Sequence, residues 1–161
     1  MNKLIFKDAQ GEPYEYNGSE IKTRLGCYGV ILNNQNQILL QKERNKRGWM
    51  FPGGGWNKVE TFQECVKREV LEETGYSITH EEQPFYVLNS PAYFRTPKTY
   101  VQKVDLLFFS KLESSKKQIK QSFDSNECIE EMRWFSLDEF KELELGWSFA
   151  EIKEIIFQKI R

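Results

Sequence analysis

The sequence predicts a single-domain α/β protein spanning residues 1–161. The length suits one domain, and several short apolar segments are bounded by turn residues, as strands are. Residues 60–74 and 148–159 have the apolar spacing of amphipathic helices. With 39% hydrophobic and 29% charged residues, the composition is that of a globular chain. We therefore expect a hydrophobic core that needs neither disulfides nor a structural metal.

The N-terminal 20 residues predict a small hairpin extension of this domain. Apolar segments at residues 4–6 and 14–16 flank a turn-forming segment that contains glycine and proline. A second hairpin is predicted from strands at residues 25–32 and 37–41, because four polar residues separate them. A basic loop then leads to the glycines at 53–55.

The central helix is the most clearly marked element. Phe62, Val66 and Val70 recur every four residues, which places them on one helix face. Gly75 follows at the position where a left-handed residue ends a helix. The remaining predicted elements are strands at 85–88, 100–109 and 129–135, a polar loop at 111–125, a short helix that opens with the capping box of residues 136–139, and a C-terminal helix at 148–159.

The charge balance excludes some classes of partner. Lysine plus arginine number 23 and aspartate plus glutamate 24, so the net charge is −1 and we expect no extended nucleic-acid surface. No segment has the character of a signal peptide or a transmembrane helix, so no membrane partner is expected. The three cysteines are widely spaced, which favours free thiols over a disulfide framework or a zinc site. We therefore expect a cytoplasmic protein.

Three acids of the predicted helix are the first sign of chemistry. Glu69, Glu72 and Glu73 have i, i+3, i+4 spacing and share one face, within an arc of about 100°. Like charges at this spacing repel, and Mg²⁺, which prefers carboxylate oxygens and bridges to phosphates, would relieve the repulsion. The alternative is a solvated acidic face. The glycines at 53–55 favour the metal site, because a glycine backbone can approach a ligand closely.

These residues match a known motif. Gly54 is followed by five residues and Glu60, then by seven residues and the run Arg68-Glu69-Val70-Leu71-Glu72-Glu73-Thr74-Gly75-Tyr76. The pattern resembles the Nudix box of MutT-like hydrolases, GX5EX7REUXEEXGU with U an apolar residue, and Tyr76 is a loose match at the last U. The resemblance implies a Nudix fold from about Lys22 onward, with a mixed β-sheet between α-helices in an α/β/α sandwich.

The resemblance also implies a reaction. This is the Mg²⁺-dependent hydrolysis of the pyrophosphate bond in a nucleoside diphosphate linked to another moiety X, with Mn²⁺ as an alternative metal. Phosphoryl transfer needs positioning and charge neutralisation, which carboxylates and a metal supply. Two alternatives stay open: hydrolysis at the 5′ end of an RNA, and a nucleotide-sensing module that keeps the fold without catalysis.

Family roles carry over to this sequence residue by residue. By resemblance, Glu69 and Glu73 are the principal metal ligands, and Glu72 is a further ligand or the general base. The Gly53 carbonyl, just before the box, completes the expected coordination. The expected catalytic residues are therefore Glu72, Glu69 and a downstream glutamate.

Two further roles follow from the family. Arg68 and Glu60 are expected to form an ion pair that orients the metal-binding carboxylates. Eight helical residues span more than about 10 Å, so Glu60 must fold back from the first turn. Many members add a glutamate before a Trp-Phe pair, and here Glu127 is the first choice, with Glu130 or Glu131 second. The alternative for each is a surface acid.

Substrate contacts are less clearly marked. Arg44 and Arg47 lie in the basic loop before the glycines, where they could bind phosphates, and the alternative is a solvated loop. Tyr28 and Tyr93 could stack on a base, although most aromatic residues of the chain must be core. We expect a small-molecule nucleotide as the partner, and the N-terminal hairpin is a candidate contact for a homodimer.

Overall fold

A computed structural model describes residues 3–114 and 129–160 of the chain. Residues 115–125 of the predicted polar loop and the candidate Glu127 lie outside these ranges. The described elements are β1 (Ile5–Lys7), β2 (Pro13–Glu15), β3 (Ile21–Leu32), β4 (Ile38–Glu43), β5 (Gly53–Gly55), α1 (Phe62–Thr74), β6 (Ile78–His80), β7 (Tyr86–Arg95), β8 (Lys98–Leu112), β9 (Ile129–Phe135), α2 (Leu137–Glu142), a 3₁₀-helix (Trp147–Ile152) and α3 (Lys153–Ile160).

The strands of the described residues form one mixed sheet. Their order is β2-β1-β7-β8-β3-β4-β9, with β5 paired to β3 and β6 paired to β8. The two longest strands, β3 and β8, run parallel in continuous register from the Ile21–Tyr100 pair to the Leu32–Lys111 pair. Strand β7 is antiparallel to β8, and β9 is antiparallel to β4. Strands β3 and β8 are therefore the centre of the sheet, and β5 attaches to this centre.

The two faces of the sheet bury separate hydrophobic clusters. Successive residues of β8 alternate between them, as expected from the two-residue period of a strand. Helix α1 covers one cluster, and α2, the 3₁₀-helix and α3 cover the other. The β8 residues of the first cluster are Leu106 and Phe108, and those of the second are Leu107 and Phe109. This layering confirms the predicted sheet between helices.

Helix α1 begins and ends at chemically defined residues. The Thr61 hydroxyl accepts a hydrogen bond from the Glu64 N–H at 3.2 Å, and the Glu64 carboxylate accepts one from the Thr61 N–H at 2.7 Å. This capping box starts the helix at Phe62 rather than at the predicted Glu60. Gly75, with a left-handed φ of 75°, ends it as predicted. Both ends of the helix are thus fixed, and with them the direction of its acidic face.

The predicted C-terminal helix at 148–159 needs correction, because it consists of two elements. Its first part belongs to the 3₁₀-helix Trp147–Ile152, and only the rest is α-helical. Gly146 provides no side-chain cap at the start. Phe149 and Ile152 lie three residues apart and are both fully buried, which suits the three-residue period of a 3₁₀-helix.

The N-terminal hairpin is present, with each strand shifted by one residue from its predicted position. Strands β1 and β2 pair antiparallel, and β1 also pairs with β7 through Lys7 and Ala92. The sequence does not predict β5 and β6, because three-residue strands carry no alternating pattern of their own.

No helix among residues 3–114 and 129–160 has the length and apolar character needed to cross a membrane.

Candidate active site

A cavity of about 740 Å³ lies beside the glycine strand β5. Residues of the N-terminal hairpin, β3, α1, β7, β8 and the 3₁₀-helix complete its walls. Its volume lies within the range of small-molecule sites. The lining acids are Asp8, Glu43, Glu69 and Glu73, and the lining cations are Lys7, Arg24, Lys46, Arg47, Arg95 and Lys103. A ligand in this cavity would therefore be close to both acidic and basic side chains.

Strand β5 meets the acids of α1 at close range. Gly53 has a φ of 145°, and a Cβ there would collide with the Cys27 carbonyl, so this approach to β3 requires glycine. The Gly53 N–H donates to Glu73 Oε2 at 2.7 Å. A Cβ at Gly54 would collide with the Glu69 carboxylate. The glycine strand thus lies directly against two of the predicted metal ligands.

Glu73 is a buried carboxyl group, only 8% exposed. Burial raises its pKa to about 8, and the neighbouring carboxylates of Glu43 and Glu69 add to the rise. The Gly53 N–H opposes this rise, because it stabilises the ionised form. A cation bound beside Glu73 would stabilise that ionised form further.

Arg68 forms hydrogen bonds with acids on one face of α1 and with Glu60, which precedes the helix. Its guanidinium donates to Glu60 from Nε at 2.9 Å and from Nη2 at 2.7 Å, a bidentate contact. Its Nη1 donates to Glu69 at 2.7 Å and to Glu72 at 3.2 Å. The contact with Arg68 lowers the pKa of Glu60 to about 2, and that contact in turn raises the pKa of Arg68. Glu60 precedes the helix and folds back onto it, so the expected ion pair is present.

The carboxylates of α1 are suitable ligands for a hard divalent cation, although they do not form a complete coordination site. Within residues 3–114 and 129–160, no three acid, histidine or cysteine groups converge as a metal site. Glu72 is 48% exposed and does not line the cavity. Glu69, Glu73 and Gly53 do line it, and carboxylate and carbonyl oxygens are the donors that Mg²⁺ and Mn²⁺ prefer.

Most cations of the cavity have acidic partners, and two lie over aromatic rings instead. The ion pairs are Lys46–Glu43, Arg47–Glu144, Arg95–Asp8 and Lys103–Asp105. The Arg24 guanidinium lies 5.8 Å from the centroid of the Phe94 ring, and its Nη2 would be 3.2 Å from a Cβ at Gly55. The Lys7 ammonium lies 5.9 Å from the centroid of the Trp147 ring. Arg24 is thus placed beside the glycine strand, where a phosphate could meet it.

The predicted substrate residues differ in whether they line the cavity. Arg47, Tyr28 and Tyr93 line the cavity, whereas Arg44 does not. Tyr28 is buried, which raises the pKa of its hydroxyl well above the ordinary value. Tyr93 stacks on Tyr14 of the hairpin, with ring centroids 4.2 Å apart. One face of the Tyr93 ring is therefore occupied, which leaves less of it for a base.

The downstream acids lie away from the cavity as far as they are described. Glu130 and Glu131 are in β9, and neither lines the cavity. Glu130 accepts from Arg44 Nε at 3.3 Å, and Glu131 lies opposite Lys42 in the β4–β9 register. The prediction for Glu127 stays a prediction.

Several cavity residues are missed by the sequence reasoning. Arg24 and Glu43 lie in β3 and β4, and Lys103 lies in the largely buried β8. Lys103 and Asp105 are two residues apart and so face the same side, which is a sequence signal for a polar site within a buried strand. Lys7 and Trp147 enter the cavity from elements at opposite ends of the chain, and no local pattern marks them.

Comparison with known proteins provides the family. The family profile described as NUDIX domain matches residues 22–154. The chain is 42% identical over 52 residues to a putative 8-oxo-dGTP diphosphatase of Bacillus subtilis (strain 168), covering 32% of this chain and 35% of that protein. It is 27% identical over 116 residues to an RNA pyrophosphohydrolase of Histophilus somni (strain 2336), covering 66% of this chain and 60% of that protein. The chain thus spans less than two thirds of either relative.

A solved structure shows the same fold. The MutT protein from Methanosarcina mazei Go1 superposes with a TM-score of 0.64 at 24% identity, covering 89% of this chain and 99% of that one. At this identity the likeness concerns the fold, and it agrees with the layers of sheet and helices described above. Because the profile matches most of the sequence and the fold agrees with it, the chain belongs to the Nudix family.

Proposed function

We propose that the protein hydrolyses the pyrophosphate bond of a nucleoside diphosphate linked to another moiety X, with Mg²⁺ as its metal. The observation that supports this best is that one cavity combines the acids Glu69 and Glu73 with the cations Arg24 and Lys103. A pyrophosphate requires both, because carboxylates hold divalent cations while guanidinium and ammonium groups bind phosphate oxygens.

Glu69, Glu73 and the Gly53 carbonyl would hold the metal, and Mn²⁺ is an alternative ion for the same donors. When bound, the metal neutralises charge on the pyrophosphate oxygens and lowers the pKa of water beside it. Arg68 donates to both Glu69 and Glu72, so it links the Glu72 carboxylate to one of the proposed metal ligands. Glu72 would act as the general base that accepts a proton from water, with Glu127 as the alternative base.

Arg24 has a separate part in the proposed reaction. Negative charge develops on the departing phosphate as the bond to phosphorus breaks. A guanidinium already in place stabilises that charge without reorganisation of solvent. The position of Arg24 beside the glycine strand supports this role.

The 5′ end of an RNA is the principal alternative substrate. The Histophilus relative carries that activity in its name, whereas the Bacillus relative is named for a small nucleotide. A net charge of −1 provides little electrostatic attraction for a polynucleotide, which favours the small substrate. A nucleotide-sensing module without catalysis is the other alternative, and the retention of the box acids disfavours it.

Product analysis tests the proposal. The purified protein would be incubated with Mg²⁺, Mn²⁺ or EDTA and with ADP-ribose, diadenosine polyphosphates, normal and oxidised nucleoside triphosphates, NADH, nucleotide sugars or triphosphorylated RNA. Chromatography would identify the products. Metal-dependent release of a nucleoside monophosphate from a small compound supports the proposal. Cleavage of RNA alone favours the first alternative, and binding without cleavage favours the sensor.

We also propose a cytoplasmic location. Cys27 and Cys65 are free and buried, as in proteins of a reducing compartment. A hydrogen bond with the Cys27 thiol, together with burial, raises the pKa of Cys65, so it stays a protonated thiol. Cell fractionation with immunodetection tests the location.

A further inference from the structure

We propose that the hairpin-lined end of the cavity is a subsite for a second anionic group of the substrate, apart from the pyrophosphate that is cleaved, and that Lys7 binds this group. The inference rests on the proposed function and narrows its substrate class. The β1–β2 hairpin precedes residue 22, where the family match begins. Membership of the family therefore assigns the hairpin no role.

The hairpin turn is fixed between two walls of the cavity. One wall is β7, and the other is the loop between β4 and β5. The contacts that hold the turn are the Lys7–Ala92 register pair, the hydrogen bond from Arg95 Nε to Asp8 at 2.6 Å, and the hydrogen bond from the Arg47 N–H to the Ala9 carbonyl at 3.2 Å. Residues 7–10 of this turn line the cavity. The hairpin is therefore a structural part of the cavity wall.

The two ends of the cavity differ in charge. The β5 end contains Glu69 and Glu73. At the hairpin end the lining acid Asp8 is only 3% exposed, and its carboxylate accepts from Arg95 and from backbone N–H groups. Its charge is thus neutralised within the wall, whereas the ammonium of Lys7 lies over the Trp147 ring. A ligand would therefore meet carboxylates and the Arg24 guanidinium at the β5 end, and the Lys7 ammonium at the hairpin end.

The two ends belong to one cavity. Lys7 at the hairpin and Gly53 in β5 both line it, and its volume of about 740 Å³ lies within the range of sites that hold a whole small molecule. One molecule could therefore place its pyrophosphate at β5 and a further group at the hairpin.

Lys7 is suited to bind that further group. Its side chain is exposed, and its ammonium lies over the Trp147 ring, which also lines the cavity. A cation over a ring keeps its full charge and its three donors. The geometry thus favours a substrate with a second phosphate or a carboxylate over one with a neutral X moiety.

Matched substrate pairs test this inference. UDP-glucuronate and UDP-glucose differ by one carboxylate, and NADPH and NADH differ by one phosphate, so the two pairs separate the two anion types. We expect wild-type protein to show a KM about tenfold lower for the anionic member of at least one pair at low ionic strength. Added salt should reduce this preference, because it screens an exposed cation.

Variants assign the preference to Lys7. We expect Lys7→Met to abolish the preference by raising the KM of the anionic member about tenfold, and Lys7→Arg to retain it. Lys3→Met is the matched control, because Lys3 is in the same N-terminal region but pairs with Glu15 at 2.9 Å and does not line the cavity. This control should leave the preference unchanged.

Equal KM values within both pairs, or a preference that survives Lys7→Met, would overturn the inference. The same compounds would also be titrated calorimetrically, with EDTA present. If wild-type protein cleaves none of them and none of the wider panel, the proposed hydrolysis has failed, and binding decides the subsite by itself. Tighter binding of an anionic member that is lost in Lys7→Met supports the subsite, whereas equal binding or no binding overturns it.

Discussion

At the scale of single residues, Glu72 and Glu73 differ in their surroundings. Glu73 is buried against the Gly53 N–H, whereas Glu72 is about half exposed beside Arg68. Glutamine has the shape of a protonated glutamic acid and keeps an accepting oxygen. We therefore expect Glu72→Gln and Glu73→Gln to fold normally. In the proposed reaction each substitution removes a charge that serves proton transfer or metal binding, so we expect kcat to fall about 100-fold or more.

Circular dichroism and steady-state kinetics on the cleaved substrate measure both effects. Glu154→Gln is the control, because Glu154 is an exposed acid in α3 outside the cavity. Its turnover should equal that of wild type. Near-wild-type turnover in both Glu72→Gln and Glu73→Gln would contradict the assignment of the site.

The Glu60–Arg68 pair predicts a pH dependence of stability. The contact with Arg68 lowers the pKa of Glu60 from 4.5 to about 2 in the folded state. A lowered folded pKa stabilises the fold above the unfolded pKa, and this stabilisation is lost as the pH falls through the folded pKa. Between pH 5 and pH 3 the pair should thus lose about 2 kcal/mol of its contribution.

Urea denaturation at several pH values measures this loss. The free energy of unfolding of wild type should fall more steeply between pH 5 and pH 3 than that of Glu60→Gln, which cannot ionise at this position. Parallel curves for the two proteins would show that the pair contributes nothing to acid stability.

At the scale of elements, the glycine strand β5 determines where the α1 acids lie. A Cβ at Gly54 would collide with the Glu69 carboxylate, whereas a Cβ at Gly55 would meet only the flexible end of Arg24. We expect Gly54→Ala to displace Glu69 and weaken Mg²⁺ binding about tenfold or more. Gly55→Ala should leave the Mg²⁺ affinity unchanged.

The Mg²⁺ concentration that gives half-maximal activity, measured for both variants, tests this prediction. Thermal unfolding in EDTA serves as the control, because a variant that misfolds would also lose activity. Equal Mg²⁺ dependence in the two variants would show that Gly54 does not position Glu69.

The sequence predicts elements with local signals and misses those created by pairing partners. Helix α1 was predictable because its apolar stripe and Gly75 lie within one segment. Strand β5 was not, since three glycines have little strand propensity and pair only because β3 lies beside them. The same reason explains which residues of the candidate site could be predicted. The box residues Arg68 and Glu60 lie near each other in sequence, while Arg24 and Lys7 reach the cavity through distant strand pairings.

At the scale of the whole molecule, the N-terminal hairpin joins the central sheet and packs against it. Phe6 is 1% exposed, and its ring packs against Tyr16 and Tyr100 with centroids 5.8 and 4.9 Å away. We expect Phe6→Ala to lower the free energy of unfolding by about 3–5 kcal/mol. Leu4→Ala is the control, because Leu4 is half exposed and its loss should cost less than about 0.5 kcal/mol.

Urea denaturation followed by fluorescence measures both variants. A single transition in wild type and Phe6→Ala would show that the hairpin and the sheet unfold together. If Phe6→Ala cost no more than Leu4→Ala, the hairpin would be a loosely attached extension, and its place in the cavity wall would be contradicted.

The hairpin offers two surfaces to the predicted homodimer, a strand edge and a pair of exposed apolar side chains. Strand β2 is the outer strand of the described sheet, but Pro13 lacks an N–H, which disfavours pairing with a second chain along this edge. Leu4 and Ile21 are exposed apolar residues near the hairpin. A dimer through this region would therefore rest on side-chain packing, and Leu4→Lys with Ile21→Lys should dissociate it. Light scattering after size-exclusion chromatography decides: a wild-type monomer contradicts the dimer, and a dimer that survives both substitutions places its interface elsewhere.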